Sequence, residues 1–294
     1  MSQLLESQMS DVFQPTTLTE TLTLLHKLGA KCKIIAGGTD LMVDLKSKGL
    51  PCNHLISLDH VKDRTLKSIT LKGRKLTIGA AVQVRTIESS PIILRRAPIL
   101  AEVARTFATI QIRNVATVAG NLCRASPAAD FAPALLALHA EVNLKSSQSN
   151  RTVPLRYFFL GPGQNVLKPR ELVASIVIDL PPKHGGAFMK YTPRSPHDLA
   201  TVSAAAVIKR DRSRKRVQNA TIALGAVAPT PIIAIKAGKF LEGKSINNDT
   251  CAEASKLAVK ESNPITDARA SLEYRRKMTT WVTRRVLERA WERS

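Results

Sequence analysis

Apolar residues in the first sixty positions switch between helical spacing and short continuous runs. Leucines recur at helical spacing over residues 17–28 after a Pro-Thr-Thr start, which predicts an amphipathic helix closed by a glycine. Apolar runs at 33–36 and 54–58 predict two short buried strands, and helical spacing returns at 41–48 before the Gly-Leu-Pro at 49–51. A helix, strand, glycine turn, helix and strand in this order indicate an α/β unit.

The following segments continue to alternate until a proline-rich linker separates them from a second unit. The patterns before the linker predict a hairpin (68–72 with 75–78), a helix-rich stretch broken at two prolines (84–107), a stretch of small residues unsuited to a long helix (115–124) and an apolar helix (127–138). A strand at 141–145 follows, and then two segments that are strands or strand–helix junctions, at 153–159 and 171–180. The linker is Pro-Pro-Lys-His-Gly-Gly at 181–186, where we place the domain boundary. The patterns after it predict a hairpin with a basic tip and two helices, at 201–210 with 217–228, 248–259 and 268–291.

Length and composition fit a folded chain of two domains. The chain has 294 residues, of which 44% are apolar, enough for a substantial core. No apolar run approaches the roughly 20 residues that span a bilayer, and the start lacks a secretory signal, so we expect a cytoplasmic protein without a membrane span. The four cysteines are scattered and form no CxxC pair, which predicts ordinary thiols and no bound metal.

The charge is strongly basic, with 44 Lys and Arg against 23 Asp and Glu and a net charge of +21. Basic residues cluster at 209–216 and along the C-terminal segment. A solvated hairpin tip and a solvated helix face account for both clusters, and acidic partners, including an acidic subunit or nucleic acid, are the alternative. Aromatic residues are only 4% of the chain and do not interleave with the basic stretches, so charge alone does not indicate a nucleic-acid partner.

Two glycine-bearing segments carry the candidate chemistry. In the first, the predicted strand at 33–36 runs into Gly37-Gly38-Thr39-Asp40 before a helix, an arrangement that turns backbone N–H groups toward a phosphate. The segment matches neither of the nucleotide-binding motifs GxGxxG and GxxxxGK[ST]. A Gly-Gly turn alone is also common between a strand and a helix without any bound ligand. Asp40 fits either a helix cap or an acceptor for a ligand hydroxyl.

The second segment, residues 117–121, again combines small and polar side chains and precedes an apolar helix. Asp130 lies near the start of that helix, where it could accept hydrogen bonds from ligand hydroxyls or simply cap the helix. Two such segments in one domain could hold a long dinucleotide from both sides. The pair is therefore more informative than either segment alone.

Longer motifs around these segments resemble the FAD-binding (medium) subunit of molybdenum hydroxylases, the xanthine dehydrogenase and carbon monoxide dehydrogenase family. The resemblance rests on AGGTDLMVDLK (36–46) and TVAGNLCRASPAADFAPALL (117–136), and it extends from residues 13–16 to 269–276. It implies an α+β protein with a two-subdomain FAD-binding domain of the PCMH type at 1–180, divided at about residue 60. A smaller domain of the carbon monoxide dehydrogenase flavoprotein type, with an antiparallel sheet and helices, would cover 187–294.

Position by position, the resemblance implies a set of FAD contacts and no catalytic or metal-binding residue. The implied contacts are Ile35, Ala36, Gly37, Gly38, Thr39, Asp40, Leu41, Phe107, Thr117, Val118, Ala119, Gly120, Asn121, Asp130, Val173, Lys190 and Leu199. Backbone amides of 35–41 would wrap the pyrophosphate, and 117–121 would clamp the diphosphate and ribityl region. Asp130 would bind polar groups of the cofactor, and Lys190 would stabilise negative charge on the reduced ring.

Two of these positions depart from the pattern of many relatives. Ala119 stands where many have glycine, and its methyl group would lie close to the cofactor. Leu199 stands where some have a tyrosine over the flavin, so an aliphatic side chain would cover the ring, as in the xanthine dehydrogenase-like branch.

The resemblance implies an electron-transfer role within a hetero-oligomer. A large subunit would carry the molybdenum cofactor, a small subunit two 2Fe-2S clusters, and this chain FAD, which would pass electrons to NAD, oxygen, a quinone or a ferredoxin. The substrate would be selected on the large subunit. The alternatives are a stand-alone flavin-dependent oxidoreductase and, from a different class, a basic nucleic-acid-binding protein.

Overall fold

A parallel three-stranded sheet, in the order β1-β3-β2, forms the first part of the chain. The computed structural model describes residues 11–48, 52–195 and 197–294. The elements of this part are β1 (Asp11–Phe13), α1 (Leu18–Leu28), β2 (Cys32–Ile35), α2 (Leu41–Lys48) and β3 (His54–Ser57). The predicted helix and both predicted strands are confirmed, whereas the pattern did not predict β1, a three-residue edge strand. The predicted stop of α2 at 49–51 lies outside the described residues.

An antiparallel sheet in the order β4-β5-β10-β6-β7 forms the second part, with helices packed against it. Its elements are α3 (Arg64–Lys67), β4 (Ile69–Lys72), β5 (Lys75–Gly79), α4 (Val84–Ser89), α5 (Pro91–Arg96), α6 (Pro98–Thr106), α7 (Ile110–Arg113), α8 (Val118–Cys123), α9 (Phe131–Ala137), β6 (Glu141–Lys145), β7 (Asn150–Pro154), β8 (Phe159–Gly161), β9 (Gln164–Asn165) and β10 (Leu172–Asp179). Both prolines that break the helical stretch begin the next helix, where a missing N–H is harmless.

One prediction in this part is wrong in its boundary. The apolar helix predicted at 127–138 begins only at Phe131, because the preceding residues form a turn in which Ala129 N–H donates to the Ser126 carbonyl. The segment at 153–159, predicted as a strand or a strand–helix junction, is such a junction, because β7 ends at Pro154 and a 3₁₀ turn follows at Leu155–Tyr157.

A four-stranded antiparallel sheet, in the order β11-β12-β13-β14, and three helices form the last part. Its elements are β11 (Gly185–Tyr191), β12 (Val202–Arg210), β13 (Val217–Gly225), β14 (Ile232–Ile233), α10 (Ile235–Leu241), α11 (Asn248–Glu261) and α12 (Leu272–Glu292). The predicted hairpin with its basic tip is confirmed. The predicted linker is too long, since β11 already begins at Gly185. The last helix begins at Leu272 instead of 268, because Ser271 caps it by accepting from Tyr274 N–H.

The third sheet is buried on both faces, which joins the two halves of the chain. On β12, Ala204 and Ala206 face α10, α11 and α12, whereas Ala205 and Val207 belong to the core of the first two sheets. Glu102 on α6 also crosses the junction, because its carboxylate accepts from Phe188 N–H on β11 at 3.0 Å. Among the described residues, no helix is both long and apolar enough to cross a bilayer.

Candidate functional site

The turn after β2 presents a run of unpaired backbone donors. Within the described residues, the N–H groups of Gly37 through Leu41 donate no hydrogen bond, and neither does the Thr39 hydroxyl. Gly38 has a φ of +68°, a conformation that an L-residue adopts only with strain. Met42 N–H donates to the Gly38 carbonyl at 3.0 Å and so starts the hydrogen bonding of α2. Successive free N–H groups at a helix start form a favourable place for an anionic group.

This turn lies directly against the start of the second glycine-bearing segment. A Cβ atom added at Gly37 would be 2.1 Å from the Val115 carbonyl oxygen and 2.9 Å from Ala116 Cα. Such distances leave no space for any side chain, so the close approach of the two backbones requires glycine at position 37. The structure therefore brings together the two glycine-bearing segments identified from the sequence.

The second segment is the first turn of the short helix α8. Thr117 caps this helix by accepting from Gly120 N–H at 3.0 Å, and the N–H groups of Thr117 and Ala119 find no acceptor in the described part of the chain. Val118 N–H, in contrast, donates to the Val82 carbonyl at 3.4 Å. The Asn121 side chain accepts from Phe131 N–H at 3.2 Å and so caps α9.

Arg124, which was not among the predicted site residues, connects the two segments electrostatically. Its guanidinium lies 2.6 Å from an Asp44 carboxylate oxygen on α2 and 3.5 Å from Asp40. The Asp40 side chain is 57% exposed and points to Arg124 from the end of the first turn. An arginine inside the second motif and two acids inside the first were the only sequence signal for this link.

Asp130 and Lys190 form a buried ion pair at the junction of the two halves. Asp130 Oδ2 and Lys190 Nζ are 2.9 Å apart, and only 7% and 2% of the two side chains are exposed. Lys190 also donates to the Asp198 carbonyl at 3.0 Å, which places the exposed Leu199 next to the pair. Burial raises the pKa of Asp130, whereas the ammonium of Lys190 opposes that rise. Asp130 Oδ1 is buried without a hydrogen-bond donor among the described residues, so it has capacity for a ligand.

The remaining predicted contacts lie around this pair and α8. The rings of Phe107 and Phe131 are 5.8 Å apart at their centroids, which places Phe107 beside the start of α9. Val173 is a buried residue of β10, the strand against which α8 packs. The Asn121 amide connects α8 with the Asp130–Lys190 pair, because Asn121 belongs to α8 and caps α9, which begins directly after Asp130.

A cavity of about 260 Å³ adjoins the first turn. Gly37 and Thr117 line it together with Asp59, Lys67 and Gln83, which were not among the predicted site residues. Lys67 Nζ donates to the Asp59 carbonyl at 2.7 Å. These residues come from segments before and after β4 and β5, and no local pattern distinguishes them.

The donor set fits a long anionic cofactor with polar groups. Free N–H groups at Gly37–Leu41 suit a diphosphate, and the free oxygen of Asp130 suits a hydroxyl or N–H donor. Arg124 and Lys190 are the cations beside these two groups, and each is paired with a carboxylate. No group of three or more His, Cys, Asp or Glu residues in the described ranges could hold a metal ion.

Family models match nearly the whole chain. The model for the FAD-binding domain in molybdopterin dehydrogenase matches residues 7–181, and that for the carbon monoxide dehydrogenase flavoprotein C-terminal domain matches 187–290. The carbon monoxide dehydrogenase medium chain of Afipia carboxidovorans is 32% identical over 97% of both chains. A putative xanthine dehydrogenase FAD-binding subunit of Escherichia coli K12 is 30% identical over 93% of both.

A solved structure of reconstituted CO dehydrogenase from Oligotropha carboxidovorans has the same fold. It superposes with a TM-score of 0.91 at 31% sequence identity and covers 97% of this chain and 98% of its own.

Proposed function

The chain belongs to the FAD-binding (medium) subunits of the molybdenum hydroxylase family, and on that premise we propose that it passes electrons from 2Fe-2S clusters of a partner subunit through FAD to an external acceptor. It is an oxidoreductase subunit with an FAD-binding domain. When bound, FAD accepts and releases electrons singly or in pairs. The residues of this chain would bind the cofactor, orient it and set its electrostatic environment.

The backbone of Ile35–Leu41 would hold the diphosphate, and the first turn of α8 would hold it from the other side. The observation that carries this assignment is the run of free N–H groups at Gly37–Leu41, fixed against Val115 by a contact that only glycine permits. Because these donors belong to the backbone, they are positioned before any ligand arrives and need no side-chain ordering.

Around the redox-active end, side chains from both halves would set the environment of the cofactor. Asp130 would accept from its polar groups through the free Oδ1, and Lys190 would supply a positive charge that two acceptors already fix in place. Phe107 and Leu199 would provide apolar contact, and Val173 would close the site from β10. A fixed positive charge in a site that excludes water favours the electron-rich form of a cofactor.

The partners would be a large subunit with the molybdenum cofactor and a small subunit with 2Fe-2S clusters. Support comes from the relatives, which are medium chains or FAD-binding subunits of carbon monoxide and xanthine dehydrogenases. The large subunit would select the substrate, and the acceptor would be NAD, oxygen, a quinone or a ferredoxin.

Replacement of Gly120 by valine tests the cofactor site. Gly120 is exposed on the first turn of α8, and a Cβ there would meet only the Thr117 hydroxyl, at 2.9 Å. We expect Gly120→Val to weaken FAD binding by about tenfold or more, because the side chain displaces the cap and occupies cofactor space. Flavin absorbance per chain after dialysis, with circular dichroism as a folding check, measures the effect.

Gly161→Val in strand β8 controls for the introduction of a valine, since an added Cβ at Gly161 has no atom closer than 3.7 Å. Normal FAD content in the folded Gly120→Val variant would contradict the site. A purified chain that reduces its flavin with an organic substrate, without partners, would favour the stand-alone oxidoreductase. A colourless chain that binds DNA with steep salt dependence would favour the nucleic-acid alternative.

A further inference from the structure

A second cavity, of about 550 Å³, lies at the junction of the two halves and shares no lining residue with the cavity at the first turn. Its walls come from α5, α6, the segment between β10 and β11, and the C-terminal end of the chain. The volume lies within the range of about 300–1,000 Å³ typical of small-molecule sites.

Positive charge predominates in this junction cavity. Five cationic side chains line it, Arg95, Arg96, Arg105, Lys183 and Arg293, against the single carboxylate of Glu102. Arg289 and Arg293 already pair with one oxygen of Glu102, and the other oxygen accepts from Phe188 N–H.

Three of these cations have no partner in the described parts of the chain. The side chains of Arg96, Arg105 and Lys183 make no hydrogen bond or ion pair there. These three side chains are exposed, and like charges around one cavity repel one another, so a bound anion would relieve that repulsion.

Helix ends alone do not explain the convergence. Arg95 and Arg96 lie in the last turn of α5 and Arg105 in the last turn of α6, where a cation interacts favourably with the helix dipole. That effect accounts for each arginine separately. It does not explain why they meet Lys183 of the linker and Arg293 of the chain end around one cavity.

Apart from His184, the uncharged side chains of the lining are apolar and include Pro98, Ile99, Leu180 and Pro181. Exposed cations next to an apolar wall suit an organic molecule that carries a phosphate group, since guanidinium groups form bidentate hydrogen bonds with phosphate. We propose that the junction cavity binds a small organic phosphate, separately from the cofactor site. Because both halves of the chain contribute walls, the bound ligand would also stabilise their junction.

Titration of the full chain, saturated with FAD, with 1-naphthyl phosphate tests the proposal. Saturation with FAD keeps the probe out of the cofactor site. We expect saturable binding of one probe per chain by isothermal titration calorimetry, and no comparable binding of uncharged 1-naphthol. Arg96→Gln with Arg105→Gln should weaken binding by about tenfold or more.

A matched pair, Arg212→Gln with Arg216→Gln, removes the same charge from the exposed hairpin tip and should leave the affinity within about twofold. Absence of saturable binding, or equal weakening in both pairs, would overturn the proposal. FAD content, measured on the same samples, reports separately on the cofactor site.

Discussion

At the scale of single residues, Lys190 is a buried cation with one carboxylate partner. It is 2% exposed, and its only carboxylate within the described residues is that of Asp130. Removal of one member of a buried pair leaves an uncompensated charge, so Asp130→Asn should lower the free energy of unfolding by about 3–5 kcal/mol. Urea denaturation at pH 7 of the chain without FAD measures this loss.

The double variant Asp130→Asn with Lys190→Met provides the control. Burial raises the pKa of Asp130, so the intact pair contributes little net stability and removal of both charges should recover most of the loss. A loss below about 1 kcal/mol in Asp130→Asn, typical of an exposed pair, would show that the two groups are not buried together in solution. The resemblance named both residues as cofactor contacts, but 60 positions separate them and no local pattern indicated that they pair.

At the scale of elements, the start of α12 depends on a carboxylate in the turn before it. Asp267 accepts from Arg269 N–H at 2.8 Å and pairs at 2.8 Å with Arg275, whose guanidinium also donates to carbonyls of Thr201 and Ala226. Partial burial alone would raise the pKa of Asp267, but the Arg269 N–H and the Arg275 guanidinium lower it from 3.8 to about 2.

Asp267→Asn is therefore expected to destabilise the chain in a pH-dependent way. A lowered folded-state pKa contributes stability that is present above pH 3.8 and is lost as the pH falls toward 2. We expect a loss of about 1 kcal/mol at pH 7, after allowance for solvent screening, that disappears near pH 2. Chemical denaturation of the original chain and the variant between pH 7 and pH 2 measures the difference in the free energy of unfolding. An equal difference at pH 7 and near pH 2 would exclude the ion pair as its cause.

The elements that the sequence predicted well have local signals at their ends. Pro91 and Pro98 divide the helical stretch where the structure divides it, and Thr17 caps α1. Some of the errors arise where a distant group contributes to the boundary. Phe131 begins α9 with Asn121 as its cap, ten residues away, and β1 exists only because β3 pairs with it. Local patterns do not contain such partners.

At the scale of the whole molecule, the contact between the two glycine-bearing segments could not be derived from the sequence pattern. Gly37 follows a strand of the first sheet, whereas Val115 lies in the connection between two strands of the second sheet. Only the assembled fold brings the two residues together. The resemblance predicted that both segments serve one cofactor. It did not indicate Arg124 as their link or the charged junction cavity.

The net charge of +21 is also a whole-molecule property, and the structure divides the basic hairpin tip into two kinds of residue. Arg210 stacks on Trp291 at 3.8 Å, and Arg214 donates to the Ser294 carbonyl at 2.7 Å, so both serve the fold. The side chains of Arg212 and Arg216 are exposed and have no partner within the described residues. Together with Lys215, whose side chain is also exposed and without a partner in the described ranges, these two are therefore available for an acidic surface on another subunit.

Charge reversal at these two positions separates a specific contact from the effect of overall charge. If the tip binds an acidic partner surface, Arg212→Glu with Arg216→Glu should reduce the fraction of assembled complex on size-exclusion chromatography, most clearly at low salt. Lys72→Glu with Lys75→Glu makes the same change at the hairpin of β4 and β5, where both side chains are exposed. Equal losses in the two pairs would identify net charge as the cause, and no loss in the first would leave the tip as a solvated turn. The two side chains make no hydrogen bond or ion pair within the described part of the chain. A loss of assembled complex that is confined to the Arg212 and Arg216 pair would therefore assign part of the positive charge to assembly.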